Sequence, residues 1–190
     1  MTYIGNLTDS TTFESGHFRL RLVAESDAED LLECYADPQA QKYFNNDPHT
    51  RNDFWQGCGK ERMLQCIRSW REEFERKSFV RFSILDQQRG KAVGTIEMYD
   101  KLARENRRKY AGWSMLRIEI ASAYETTAHI GELLSLFDTV DFFGLFHVRL
   151  ILTKAVPEAA QRIEALRNAG YAPFAWDEPN RKHYWAKSGM

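Results

Sequence analysis

The stretch from Leu116 to Leu134 holds the residues best placed for chemistry, because a strand pattern there runs through a short polar turn into a helix pattern. Such a junction directs several backbone N–H groups to one place, which also carries the positive end of the helix dipole. That combination suits a phosphate group. An ordinary strand–turn–helix connection has the same pattern, so the junction alone leaves both interpretations open.

The elements that must position this junction follow from hydrophobic periodicity. The order β–α–α–β–β–β–α–β–α–β–β predicts an α/β (α+β) fold, a mixed sheet with helices on both faces. The step from residue 114 to 155 predicts a right-handed parallel crossover. Strands are predicted at residues 17–24, 78–86, 91–100, 114–121, 146–155, 171–176 and 181–187, and helices at 26–37, 52–77, 127–143 and 157–170. Residues 1–16 are polar and predict a flexible arm, which leaves residues 17–190 as a single domain.

Composition argues against several classes of function. The 190 residues are 43% hydrophobic and carry a net charge of −1, so nothing draws the chain generally to nucleic acid or to an anionic membrane. No apolar run approaches the ~20 residues that span a bilayer, and the N-terminus lacks a signal-peptide pattern. Cys34, Cys58 and Cys66 lack CxxC spacing, and we interpret them as reduced thiols of a cytoplasmic protein. The histidines lack zinc-site spacing, so we expect no metal.

The element order, the strand-to-helix junction and the Gly170-Tyr171 pair resemble the GCN5-related N-acetyltransferase (GNAT) family over residues 17 to 187. The resemblance implies a mostly antiparallel central sheet in an acyl-CoA acyltransferase domain. It also implies acetyl-CoA as co-substrate and an unidentified amine, on a small molecule or a protein, as acceptor. A homodimer stays open.

The family's pyrophosphate loop, Gln/Arg-x-x-Gly-x-Gly/Ala, aligns with residues 125 to 130, and none of its three signature positions matches. Glu125 introduces a carboxylate that would repel a diphosphate. Ala128 adds a methyl group and Ile130 a branched side chain where small residues are usual. These departures favour an alternative function, a GNAT-fold ligand-binding or interaction module that no longer binds CoA.

The resemblance nevertheless assigns cofactor binding to one set of positions. Thr126 and Thr127 serve equally well as helix N-caps, and Arg162 has two interpretations, a contact to a CoA phosphate or an ordinary surface arginine. The full set is Ile118, Ile120, Thr126, Thr127, Ala128, His129, Ile130, Gly131 and Arg162.

Amine acetylation requires a base for the incoming ammonium and an acid for the leaving thiolate. Glu119 and Glu97 are the predicted base candidates. Glu119 has the opposite strand parity to Ile118 and Ile120 and therefore faces the other side of the sheet. Its alternative role is an ion pair with Arg117 or Arg149 across the strands.

Tyr124 or Tyr184 is predicted to protonate the thiolate, since Leu166 stands where many family members have a tyrosine acid. The loop Lys101 to Lys109 carries five basic residues. It predicts either a steering patch for CoA phosphates or a solvated hairpin loop.

Overall fold

The computed structural model describes residues 7–44, 55, 57–99, 107–176 and 181–189. The strands are β1 (Thr12–Glu14), β2 (Phe18–Leu22), β3 (Phe79–Asp86), β4 (Lys91–Tyr99), β5 (Trp113–Ile120), β6 (Leu150–Lys154), β7 (Ala172–Phe174) and β8 (Tyr184–Ser188). The helices are α1 (Ala28–Ala36), α2 (Pro38–Gln41), α3 (Lys60–Glu75), α4 (Arg107–Tyr110), α5 (Thr127–Thr139), α6 (Phe142–Leu145) and α7 (Ala160–Asn168). Short 3-10 turns, Glu25–Asp27 and Ser122–Tyr124, lead towards α1 and α5.

The strands form one sheet in the order β1-β2-β3-β4-β5-β6-β8-β7. Neighbouring strands are antiparallel except for β5 and β6, which are parallel. A short turn at Gly90, where φ is +65°, suffices between antiparallel β3 and β4. The parallel pair needs a helical crossover, which α5 supplies. The predicted mixed, mostly antiparallel sheet is confirmed.

Helices cover both faces of this sheet, as predicted. Phe82, Ile96 and Leu116 belong to the larger core, which they share with apolar residues of α5 and α7. The opposite face packs against α1 and α3, with Leu31 and Met63 fully buried there. The period-two alternation of β3 to β5 therefore decides which side chains meet α5 and which meet α3.

Two sequence predictions need correction. Part of the predicted arm is ordered, because β1 pairs with β2 and Leu7 is buried in the larger core. The predicted helix 127–143 ends at Thr139, because Asp141 adopts a left-handed backbone with φ of 48° and caps the separate helix α6. Residues 1–6 and 101–106, which include most of the predicted basic loop, lie outside the described residues.

Candidate active site

At Ile118 and Ile120, strand β5 has a backbone edge to which no described strand is paired, because β6 diverges from it; we call this the free edge. Pairing between the two strands covers only Trp113 to Met115, although β5 continues to Ile120 against β4. The Ala121 N–H donates to Val93 O over 2.8 Å, which sets the phase of the antiparallel ladder. Odd-numbered residues of β5 therefore bond to β4, and the backbone groups of Ile118 and Ile120 point towards the gap.

Helix α5 begins directly after this edge. Thr126 is its N-cap, and its Oγ1 accepts a hydrogen bond from the His129 N–H over 3.2 Å. The Thr126 carbonyl accepts the first helical bond, from Ile130 N–H. The prediction that one of the two threonines caps the helix is confirmed, since a β-hydroxyl satisfies an N–H that the helix leaves without a partner.

The prediction of several unpaired amides at this junction is wrong. The Thr126 N–H donates to Tyr124 O over 2.8 Å, and the Thr127 N–H donates to Gln161 Oε1 of α7 over 3.2 Å. Across residues 126 to 129, within the described part of the chain, only Ala128 N–H lacks a hydrogen-bond partner.

Side-chain directions at the loop also differ from expectation. Ile130 is fully buried in the larger core, so its branched side chain does not crowd the junction. Ala128 is exposed. A Cβ added at Gly131 would meet no atom within 4 Å, so no close approach requires glycine there.

Arg162 and Glu125 form a buried pair beneath this junction. Arg162 Nε and Nη2 donate to Glu125 Oε1 and Oε2, each over 2.6 Å, and the two side chains are only 3% and 6% exposed. Arg162 Nη1 also donates to Ile118 O over 3.0 Å, at the free edge of β5. The interpretation of Arg162 as a surface arginine is therefore wrong, and the Glu125 carboxylate is turned inward.

The opposite face of the sheet carries the two predicted base candidates, Glu97 on β4 and Glu119 on β5, joined by Arg81. Arg81 Nη2 binds Glu97 Oε2, and Arg81 Nη1 lies 3.3 Å from Glu119 Oε2. Burial opposes the charge of Arg81, but the two carboxylates outweigh it and raise the pKa of the guanidinium. The parity predicted for Glu119 is correct, but its ion partner is Arg81, whereas Arg117 pairs with Glu97 over 3.4 Å.

Tyr35 of α1 completes this cluster, a role that sequence reasoning missed because Tyr35 was recognised only as part of an apolar helix stripe. Its hydroxyl donates to Glu119 Oε2 and accepts from Arg81 Nη1 over 2.5 Å. Burial, reinforced by the Glu119 carboxylate, raises the pKa of Tyr35 well above its usual value. The phenol therefore stays protonated and holds the carboxylate in place.

A pocket of about 300 Å³ opens beside this cluster, between α3 and the strands. Its polar lining includes Arg81, Glu97 and Arg117, whereas Glu119 lies outside it. Aromatic rings form part of the wall: Trp70 stacks on the Arg81 guanidinium at 4.0 Å from its ring centroid, and Tyr99 lies under Arg117 at 5.0 Å.

Tyr124 is engaged elsewhere. Its hydroxyl donates to Asp86 Oδ2 over 2.5 Å. Burial and this hydrogen bond raise the pKa of Tyr124 to about 12. A proton directed at Asp86 with that pKa is a poor source for a leaving thiolate, so the geometry argues against Tyr124 as the acid.

Comparison with known families decides the family of the chain. Residues 17–171 match the model of the acetyltransferase (GNAT) domain. The chain belongs to the GNAT acetyltransferase family. No curated protein sequence matches it.

Solved structures share the GNAT fold over nearly the whole chain. The ribosomal-protein-S5-alanine acetyltransferase of Vibrio fischeri has a TM-score of 0.66 at 16% identity, covering 94% of this chain and 97% of that one. Mycobacterium smegmatis RimJ, in complex with a CoA-disulfide, has a TM-score of 0.68 at 15% identity, covering 90% and 81%. A Salmonella typhimurium acetyl transferase that modifies the N-terminal serine of ribosomal protein L7/L12 has a TM-score of 0.65 at 11% identity, covering 95% and 100%.

Other features of this GNAT domain contribute less. A larger hollow of about 770 Å³ lies beside β2 and α3, and the ion pairs Arg68–Glu25 and Arg71–Asp9 on its rim are largely exposed. The smaller pocket differs from it because the ion pair in its lining, Arg81–Glu97, is buried. Within the described ranges there is no group of three or more metal-ligating side chains. In the same part of the chain, every helix is too short or too polar to cross a membrane.

Proposed function

We propose that this GNAT protein is an acetyl-CoA-dependent N-acetyltransferase. The observation that carries the proposal is the free edge of β5, which runs directly into the N-terminus of α5. Backbone donors on such an edge suit the thioester carbonyl, and the first turn of a helix suits a phosphate. Bound acetyl-CoA would supply the activated acetyl group.

The residue types at the junction fit a diphosphate, although they are engaged with one another. The Ala128 N–H is available, the Thr127 hydroxyl lies on the exposed side, and Arg162 offers a cation. Gln161, which covers the Thr127 N–H, is an exposed side chain of α7. We infer that cofactor binding displaces Gln161, because an exposed amide loses little when water replaces its partner.

We propose that the amine acceptor enters the pocket between α3 and β5, on the face of the sheet opposite to α5. Glu97 lines that pocket, and we assign to it the acceptance of a proton from the ammonium. Glu119 is assigned a positioning role, since it holds Arg81 and Tyr35 from behind the pocket. Tyr184, on β8 in the apolar cluster with Tyr110 and Met115, stays the predicted acid.

Protein N-termini are the first acceptors to test. Two of the compared enzymes are named for alanine or serine of ribosomal proteins. A terminal α-amine has a pKa of roughly 7.7 to 8.0, so it needs only a weak base near neutral pH. Cys34, Cys58 and Cys66 form no disulfide, and we propose a reducing compartment, the cytoplasm, as the place of action.

The decisive experiment is a thermal-shift and calorimetric titration with acetyl-CoA. Saturable binding is expected, with a stabilisation of about 2.7 kcal/mol at one hundred times Kd. CoA release in the presence of N-terminal peptides and small amines then identifies the acceptor. The Glu97→Gln variant should keep the acetyl-CoA shift and lose turnover. A flat titration up to about millimolar acetyl-CoA would overturn the proposal and favour a module that does not bind CoA.

A further inference from the structure

Two departures of this chain from the family's motif form a matched pair of opposite charges. Glu125 stands where the family has a neutral or basic residue, and Arg162 stands where the resemblance places a serine. Each alone would leave an uncompensated buried charge. Together they make a bidentate carboxylate–guanidinium contact with two bonds of 2.6 Å.

The pair lies across the gap that the cofactor must use. Glu125 immediately precedes the N-cap of α5, Arg162 comes from α7, and its Nη1 reaches Ile118 O on the free edge of β5. A second, exposed contact crosses the same gap, because the Thr127 hydroxyl donates to Glu164 Oε2 over 3.0 Å. Two carboxylates of the protein, Glu125 and Glu164, thus take part in holding helix α7 to the start of α5.

Carboxylate and phosphate are interchangeable partners for an arginine. The planar guanidinium offers a fork of N–H donors that binds either anion in a bidentate manner. A diphosphate arriving at the first turn of α5 would carry more negative charge than Glu125. It would also gain the Ala128 N–H, which has no hydrogen-bond partner among the described residues.

We propose that Glu125 is a built-in competitor of the cofactor, and that Arg162 exchanges the Glu125 carboxylate for the diphosphate of acetyl-CoA on binding. This inference rests on the proposed function. The exchange forms and breaks only hydrogen bonds and ion pairs. It accounts for a carboxylate at a position where a diphosphate would otherwise be repelled, because without cofactor the carboxylate keeps Arg162 oriented and its charge compensated.

The test measures the dissociation constants of acetyl-CoA and of acetyl-pantetheine, which lacks the diphosphate, by calorimetry. The variant is Glu125→Gln, which keeps the shape of the side chain and removes the competing charge. We expect acetyl-CoA to bind about threefold to tenfold more tightly, since a neutral acceptor holds an arginine about half as strongly. Acetyl-pantetheine should bind as it does to the wild type.

Glu132→Gln is the matched control, because it removes one negative charge from helix α5, next to the junction, at a residue that binds His17 instead of Arg162. It should leave both dissociation constants within about twofold, because this carboxylate faces His17 and solvent screens part of its charge. Equal tightening by both variants would overturn the exchange and indicate a general charge effect.

If the wild type binds acetyl-CoA and Glu125→Gln binds it equally tightly or more weakly, the proposal that Glu125 competes with the cofactor is overturned. The proposed function then stands. Absence of acetyl-CoA binding by both proteins would overturn the two proposals together. Binding by Glu125→Gln alone would overturn the exchange together with the proposed function, because Glu125 would then exclude the cofactor from the wild type. Circular dichroism of the variant, required to match the wild type, excludes unfolding as the reason for any loss.

Discussion

Replacement of Arg162 by methionine should expose the energetic weight of the buried pair. Methionine preserves much of the length and packing of the side chain, so the main loss is electrostatic. Glu125 would keep a carboxylate that is only 6% exposed and has lost its counter-charge. Breaking a buried pair on one side costs about 3–5 kcal/mol, a large part of the roughly 5–15 kcal/mol that stabilises a domain.

A double variant separates the pair from its parts. In Glu125→Gln/Arg162→Met the buried charge is gone, and what remains is a neutral amide and the Ile118 carbonyl without its donor. These buried polar groups without hydrogen-bond partners lower the free energy of unfolding by about 1–3 kcal/mol. The double variant should therefore be more stable than Arg162→Met alone, by about 2 kcal/mol, which is the coupling expected within one network.

Urea unfolding followed by tryptophan fluorescence measures these differences. The control is Arg68→Met, which removes an equally bidentate arginine–glutamate contact at a surface where the partners are 51% and 54% exposed. That variant should unfold close to the wild type, and any effect should fade in high salt. A cost for Arg162→Met no larger than that for Arg68→Met would refute the buried arrangement of Arg162 and Glu125.

Three further variants test other parts of the structure. Tyr124→Phe removes a hydrogen bond that, against the effect of burial, lowers the pKa of Asp86 from its usual 3.8. The stability it contributes is present above that value and lost as pH falls through the lowered pKa, so the variant should be about 1–2 kcal/mol less stable at pH 7 and should approach the wild type as the Asp86 carboxylate becomes protonated. Gly94→Ala should cost about 1–3 kcal/mol in a denaturant titration, because the added Cβ would lie 2.3 Å from a β5 carbonyl oxygen. Gly131→Ala, in open space within α5, should instead gain about 0.5–1 kcal/mol and leave acetyl-CoA binding unchanged; the opposite order of the two glycine variants would contradict the packing described.

Much of the fold could be predicted because each element carries its own periodicity. The strands of the hairpin, the β5–α5 junction and the parity of Glu119 depend only on neighbours in sequence. Strand β1 could not be predicted, since three residues are too short a run to show a strand period, and they pair because β2 offers an edge. The direction of Ile130 was available from its place on the apolar stripe of α5, a signal that the alignment with the phosphate loop obscured.

The charged partners could not be predicted because they depend on how distant elements come together. Arg81 and Glu119 are 38 positions apart, and Arg162 and Glu125 are 37 apart. Arginine is usually exposed, so a general rule predicts the surface for both arginines. Only the assembled sheet and helix α7 bring each guanidinium to a carboxylate.

Strand β5 separates two compensated charge clusters, and this arrangement is more informative than either cluster alone. On the α3 face Arg81 and Arg117 balance Glu97 and Glu119, and on the α5 face Arg162 balances Glu125. Buried ion pairs of this kind add little net stability over apolar packing, but they strongly penalise the loss of one partner. The cluster on the α3 face therefore holds the pocket residues in place. The pair on the α5 face tolerates a change of partner only if another anion replaces the Glu125 carboxylate. A ligand carrying a diphosphate meets that condition, and an uncharged ligand does not.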